Sequence, residues 1–476
     1  VKNDGDRNMD EKSAFLGTEN IRKLLFKLST PVIVGMLAQA LYNIIDTLFI
    51  GRAYGADSVE AIGGLSIAFP VQMIVTAVGI FLGTGGASII SRALGARDNE
   101  KAEKVLGNLF TLNLILGLLL AVFCLHYLDP ILKIFGATAG VLPYAREYLE
   151  IILAGGIVFV YGVSVQNIVR AQGNTRLAMN AMLLAVSLNT LLAPIFIFGF
   201  GMGVRGAATA TVLAQGTASV WLLLYCIKGK GAVKFRSETL KPDMEIIKEI
   251  ATVGAGSFVM ESAMSIMMIC VYNALAVYGG DASIAVFGTV MRINAFIFMT
   301  ILGMGFGLQP VVGFNYGAKK YGRIVEAVKI TLTAATTFGV IGLVIIYLLR
   351  EQLLGLFSTD PEYLAVGKDA IMIMVLGTPL IGLNVITSTL FQALGKAKPA
   401  FILSISRQLL FLIPAVILLP RVYKLDGVWA AFPVADSLAF LLSSFLLFRL
   451  YRIFKESKYS SKTASGSETA DKTSNL

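Results

Sequence analysis

A few ionisable and amide side chains interrupt the long apolar stretches of this 476-residue chain, and their spacing is where chemistry could arise. Gln39, Asn43 and Asp46 fall at i, i+4 and i+7, so on a helix they line one face with polar groups. Thr211 and Gln215 form a second polar pair at i, i+4. Glu261, Arg292, Arg407 and Asp436 also lie inside apolar runs. A charge near the centre of a bilayer costs on the order of 2.5–3.5 kcal/mol even on the lenient insertion scale, so each such group needs a reason to be there. A desolvated carboxylate can trade its charge for a proton, because burial penalises the charged form. Asp46 is therefore read as an ion-coupling residue, the bland alternative being that it ties helices together by hydrogen bonds. Glu261 is read as a second protonation site, a counter-charge for a cationic substrate, or a structural partner of Arg292 or Arg407. Asp436 is assigned a structural or conformational role.

Twelve apolar runs must position these residues. They span about 28–50, 62–82, 105–125, 149–169, 177–198, 204–227, 250–277, 284–312, 324–349, 371–394, 401–419 and 428–450. Most are long enough to cross a hydrocarbon core, which takes roughly 20 helical residues. Composition agrees, since 56% of the residues are hydrophobic and 15% charged, against roughly 45% and 25% in soluble domains. Landmarks of the first six runs return 222 positions later: Gly95-Ala96-Arg97 as Gly317-Ala318-Lys319, Leu132 as Leu354, Gly155 as Gly377, and Ala171, Gly173 and Arg176 as Ala393, Gly395 and Lys398. Six helices per half is an even number, so both halves enter the bilayer in the same sense and the repeat is parallel. The expected fold is an all-α polytopic membrane protein of two six-helix lobes.

The net charge of +10 could suggest a nucleic-acid partner, but its distribution argues for topology instead. Alternate loops hold 30 Lys and Arg on one side and 8 on the other, with Arg292 and Arg407 inside runs. This positive-inside pattern places both termini in the cytoplasm of a multi-pass protein. Residues 1–17 and 456–476 are polar and expected to be disordered. Lobes are placed at 18–227 and 246–455, joined by a basic cytoplasmic loop over 228–245. Ile21, Leu24, Leu25 and Leu28, beside Arg22, Lys23 and Lys27, suit a helix lying in the membrane interface. Cys124, Cys226, Cys270 and His126 show no ligand spacing, so no metal, thiol or other enzymatic chemistry is expected. No cleavable signal peptide is read in the polar residues 1–20.

Three motifs carry a family resemblance: Ser91-Arg92-Ala93-Leu94-Gly95-Ala96-Arg97, Arg170-Ala171-Gln172-Gly173-Asn174, and the run from Gln309 through Pro310, Asn315 and Tyr316 to Lys320. They resemble the multidrug and toxic compound extrusion (MATE) family, in particular its bacterial DinF- and MepA-like branch, over about residues 18–455. The resemblance implies lobes forming a V-shaped cavity and export of small amphipathic, often cationic, drug-like molecules against inward flow of protons or sodium ions. It also implies that Asp46 is joined by Asn189 and Thr211, which match family positions. Ala193 stands where many relatives carry a second aspartate, and the tenth run offers Asn384 but no aspartate, where some relatives pair a helix 10 aspartate with a helix 7 glutamate for sodium. That poorer set of hard oxygen ligands favours protons over sodium. No cofactor is expected, and the chain is expected to act as a monomer in the cytoplasmic membrane.

Met260, Met264, Met267, Met268, Met291, Met299 and Met304, beside Phe258, Phe296, Phe298 and Phe306, could form an adaptable wall, since thioethers are flexible and aromatic faces attract organic cations. Met260, Met264, Met291, Phe296 and Gln309 are taken with Glu261 as substrate-binding candidates, although Met and Phe at this density are ordinary in membrane helices. Pro31 precedes Asp46 by about four turns and is the expected bend of the first helix. A flippase for a lipid-linked precursor or amphipathic lipid is the alternative; it would need a cavity rich in Arg and Lys, and only Arg292 and Arg407 are read within the membrane. A reporter fused after Lys234 or at the C-terminus is expected in the cytoplasm and one near Gly279 or Asp360 outside; reversal of either pair would overturn the twelve-helix topology.

Overall fold

The computed structural model describes residues 14–54, 58–135, 137, 140–228, 231–356 and 361–471, with side chains described for most but not for 42–48 or beyond 452. It is helical, with no strand among the described residues. Eleven helices are long and apolar enough to cross a membrane, and a twelfth span is a helix pair bent by 58°. We number the spans α1 (Ile21–Tyr54), α2 (Ser58–Ala96), α3 (Asn99–His126), α4 (Leu142–Ala154 with Gly156–Ala171), α5 (Thr175–Gly199) and α6 (Gly203–Ile227) in the first lobe. The second lobe holds α7 (Met244–Tyr278), α8 (Gly280–Gly317), α9 (Tyr321–Leu348), α10 (Pro361–Ala393), α11 (Ala397–Leu418) and α12 (Pro420–Asp471).

Local chemistry sets the helix ends. Asp98 accepts the Lys101 N–H at 3.0 Å to start α3, Asn174 accepts the Leu177 N–H at 3.2 Å to start α5, and Asp243 caps α7. The chain reverses between α2 and α3 with Arg97 at φ 61°, and between α8 and α9 with Lys319 at φ 58°. In both turns the next residue's N–H reaches back to a helix carbonyl, Asp98 to Ala93 and Lys320 to Asn315. Gly173 and Gly395 close α4 and α10 in the same left-handed fashion. The four turns form two pairs separated by 222 residues, as do the starts of the short helices Leu128–Ile134 and Arg350–Gly355 and the breaks at Gly155 in α4 and Gly377 in α10. The parallel duplication read from the sequence is thus built into backbone conformation.

The lobes meet along α1, α2, α7 and α8 at the end of the bundle that carries the basic loops. Small residues let the backbones approach, the usual means of helix association where lipid removes the hydrophobic drive. A Cβ on Gly95 would strike the carbonyl of Phe314, and one on Gly317 would strike the carbonyl of Arg92. These two contacts exchange under the 222-residue shift, which places a pseudo-twofold axis through the seam. Polar ties surround it: Thr84 Oγ1 to Ser257 Oγ at 3.1 Å, Ser88 Oγ to the Gln392 carbonyl at 2.5 Å, and Glu249 held by Arg92 at 3.0 Å and Lys101 at 2.8 Å.

Several expectations change. The segment from Ile21 to Leu28 is the first part of α1 rather than a separate interfacial helix: Ile21, Leu24, Leu25 and Leu28 are buried, because α1 packs on α8. Residues 14–18 form a helical turn that overlaps the end of the tail read as 1–17, and the Leu16 carbonyl accepts from Asn315 Nδ2 at 2.9 Å. Beyond 455 the described backbone is helical to Asp471. The loop between the lobes is folded onto the first lobe: Gln172 Oε1 accepts from the Ala232 and Val233 N–H groups, Asn108 Oδ1 from Asp243, and Arg236 pairs with the buried Glu103 at 2.8 Å. Pro31 lies inside a continuous α1.

Gly95→Val and Gly317→Val should each lower the thermal midpoint of the purified protein and expose Ser91→Cys to a maleimide, because branched side chains cannot pass the opposing carbonyls. Gly322→Ala, which meets nothing within 4 Å, is the control and should change neither readout.

Candidate functional site

Beyond the seam the lobes part around a cavity of about 1150 Å³. Its walls come from α1, α2, α4, α5, α7, α8, α10, α11 and α12. The two long inner helices line it at helical spacing, α2 with Phe69, Met73, Thr76, Ile80 and Thr84, and α8 with Met291, Ala295, Phe298, Leu302 and Phe306. Each residue of the second set lies 222 positions after its counterpart in the first. The same shift relates Val163, Gln166, Asn167 and Arg170 of α4 to Val385, Ser388, Thr389 and Gln392 of α10, and Gln39 of α1 to Glu261 of α7. The axis therefore repeats the positions of the wall while the side chains differ. A carboxylate faces the cavity from the second lobe where the first has an amide, and a guanidinium faces it from the first where the second has an amide.

Sequence-derived candidates divide into three groups. Gln39, Glu261, Met260, Met264, Met291 and Asp436 all line the cavity. Phe296 does not: it is 41% exposed and points off the α8 stripe, so Phe298 and Phe306 supply the aromatic wall instead. Gln309 does not line it either; it is buried beyond the floor, between Gly307 and Gly313 of the seam helix, since α8 passes from cavity wall to lobe contact at that depth. Asn189 and Thr211 are buried together between α5 and α6, with Asn189 Nδ2 donating to Thr211 Oγ1 at 2.9 Å, while Asn189 Oδ1 has no partner among the described residues. The side chains of Asn43 and Asp46 lie outside the described residues; the α1 backbone that carries them packs on α5 and α6.

Arg407 is placed by a π-helical segment of α11, Ser406–Leu412, and donates to Asp436 Oδ1 of α12 at 2.5 Å. It is therefore Asp436, not Glu261, that neutralises Arg407. Arg292 is largely exposed and leaves Glu261 without that partner too. Asn384 is occupied by Ser406 at 3.4 Å and Ser443 at 3.2 Å. One cavity residue escaped the sequence reading: Arg170, counted there among loop charges, is 5% exposed and sits in the cavity floor with its guanidinium over the Phe306 ring at 4.3 Å from its centroid. Gln166, Asn167 and Arg170 share one helical face, and that polar stripe at the end of the fourth run was the available signal.

A cavity with methionine and aromatic walls, few fixed charges and one sealed end suits reversible binding of varied amphipathic molecules. Among the described residues no group of three or more His, Cys, Asp or Glu could hold a metal ion. The MatE family model matches residues 31–195 and 255–417, once in each lobe. The chain is 28% identical over 442 residues to the multidrug export protein MepA of Staphylococcus haemolyticus, covering 93% of this chain and 96% of that protein. It is 42% identical to the MATE multidrug transporter DinF-BH, solved in complex with rhodamine 6G, with a TM-score of 0.86 over 92% of this chain and 98% of that one. A multidrug resistance MATE transporter of the MOP superfamily in an outward-facing conformation superposes with a TM-score of 0.86 at 29% identity, over 93% and 99% of the two chains. Two matched repeats, twelve spans and a shared cavity between lobes together make this chain a member of the MatE family, a transporter of the MepA-like branch and not an enzyme.

Proposed function

We propose that the protein is a secondary active exporter of small amphipathic, often cationic molecules, driven by inward proton flow and working by alternating access between its two lobes. The observation that carries this reading is the shape and lining of the cavity: one end is closed by the seam, and the walls combine nine methionines with aromatic rings and the carboxylate of Glu261. If the basic loops and both termini are cytoplasmic, the seam closes the cytoplasmic side and the cavity faces outward. Both walls come from one chain, so a monomer suffices. Relatives support the substrate class, since MepA is a multidrug export protein and DinF-BH was solved with rhodamine 6G bound. A lipid-precursor flippase fits less well, because Arg407 is tied to Asp436 and Arg170 is then the one cavity guanidinium without a carboxylate partner among the described residues.

Asp46 is assigned the coupling role. It shares a helical face with Gln39 and Asn43, on a helix that packs on the α5–α6 pair holding Asn189 and Thr211. The ionised acid would hold an open polar pocket, and the protonated acid would release it, letting α1 bend near Pro31 and narrow the cavity. Differential protonation of the two shapes by one pKa unit is worth about 1.4 kcal/mol, enough to bias a two-state equilibrium tenfold. Asp46→Asn, which mimics the neutral acid, should fold and still bind rhodamine 6G, yet fail to accumulate it against a gradient in proteoliposomes. Undiminished transport driven by a pH gradient would remove Asp46 from the mechanism, and full dependence on sodium at zero pH gradient would replace protons by sodium.

Glu261 is assigned to cation recognition from the second lobe. Replacing it with Gln should weaken binding of monovalent organic cations by about tenfold, the scale of one charge-assisted contact, and leave neutral amphiphiles nearly unaffected in a fluorescence titration. Equal loss for both would mark a structural residue.

A further inference from the structure

Arg170 combines features that the export of simple cations does not require. A permanently charged side chain stands 5% exposed in the floor of a cavity proposed to hold cations. Among the described residues no carboxylate pairs with it, unlike Arg407, whose charge Asp436 cancels, and unlike Arg92, held by Glu249. Its one hydrogen bond runs from Nη2 to Asn167 Oδ1 at 2.7 Å, one turn back on the same helix, and Nε has no partner among the described residues. Five donors with one protein acceptor leave a planar fork largely unused, and a buried guanidinium in that state is costly unless an acceptor arrives. The Phe306 face at 4.3 Å holds the plane of the group without using a donor. Across the axis stands Gln392, the residue 222 positions on, whose amide can also donate, and which lines the same floor.

We infer that Arg170 is a carboxylate subsite at the floor of the cavity, the residue that holds the acid group of a zwitterionic amphiphile while its cationic portion lies among the methionines with Glu261. This rests on the export reading above and names a specificity-determining residue of the same site. The carboxylate takes the free guanidinium donors in a two-point contact, the geometry that suits Arg better than Lys. A substrate with both charges is thereby read at two places on opposite lobes. An ester of the same molecule keeps the cationic contact and loses the floor contact.

The test uses rhodamine 6G, an ethyl ester, and the corresponding free acid, which share the cationic ring system and differ at the carboxyl group. Binding of each to the purified full-length protein in neutral detergent would be followed by fluorescence anisotropy. In the wild type the acid should bind at least as tightly as the ester despite its lower net charge. Arg170→Gln should weaken the acid by about tenfold or more, the scale of a charge-assisted contact, and leave the ester within about twofold. Arg170→Lys, which keeps the charge and is the second variant should Arg170→Gln not fold, should weaken the acid by an intermediate factor. An unchanged acid-to-ester ratio in both variants, or a wild type that prefers the ester tenfold, would overturn the subsite. Failure of the wild type to bind either dye would count against the export reading itself, which separates the two conclusions. Repeating the titration in nanodiscs of phosphatidylglycerol and of phosphatidylcholine distinguishes the source of the anion. Loss of the acid preference in phosphatidylglycerol alone would assign Arg170 to a lipid phosphate and overturn its role in reading the substrate.

Discussion

The close crossing of α2 and α8 is the contact on which the rest of the structure depends. Gly95 against the Phe314 carbonyl and Gly317 against the Arg92 carbonyl bring the two lobes within backbone distance at one end. In lipid no hydrophobic drive pushes helices together, so association must come from dense packing and from polar groups that would otherwise lack partners. The Glu249 bridge to Arg92 and Lys101 and the Ser88 and Thr84 hydrogen bonds meet that need at the edge of the seam. Because the seam is short and lies at one end, the helices must splay beyond it, and the cavity is the consequence.

Duplication then gives the cavity its form. A pseudo-twofold axis forces wall positions to repeat, which is why Phe69 to Thr84 and Met291 to Phe306 line it in matched sets. It does not force side chains to match. Gln39 against Glu261, Arg170 against Gln392 and Thr84 against Phe306 show two lobes with the same geometry and different chemistry. The wall thereby presents an acidic, methionine-rich face from one side and a basic floor from the other. The interlobe hydrogen bonds among the described residues lie at the seam end, near the floor and where the N-terminal segment meets α8 and α9.

Ion pairing inside the second lobe has a different character. The Arg407–Asp436 pair joins α11 to α12 within one lobe, and its 2.5 Å contact keeps two charges compensated where neither could be solvated well. Removing one partner would leave the other buried and unpaired, which is costly by several kcal/mol. The π-helical segment Ser406–Leu412 is what turns Arg407 toward Asp436 and brings Gln408 to the cavity wall. Ties within the second lobe and ties between the lobes are thus built from separate sets of residues.

Hydrophobic length, the alternation of basic loops and the 222-residue register made the spans and the parallel duplication legible in the sequence, because each follows from the bilayer acting locally on every segment. The left-handed Arg97 and Lys319, the paired breaks at Gly155 and Gly377, and the cavity position of Glu261 agree with that register. What the sequence did not decide was which face of each helix meets which neighbour. Phe296 and Phe298 are two residues apart and alike in type, yet only the packing of α8 directs one outward and the other into the cavity. Gln309 has polar spacing but falls below the floor, and Arg170 has the look of a loop charge but stands within it. Arg407 could have paired with Glu261 or Asp436, and the π turn in α11 chose. Helix periodicity fixes relative positions on one cylinder, whereas the rotation and depth of that cylinder are set by contacts hundreds of residues away in the chain.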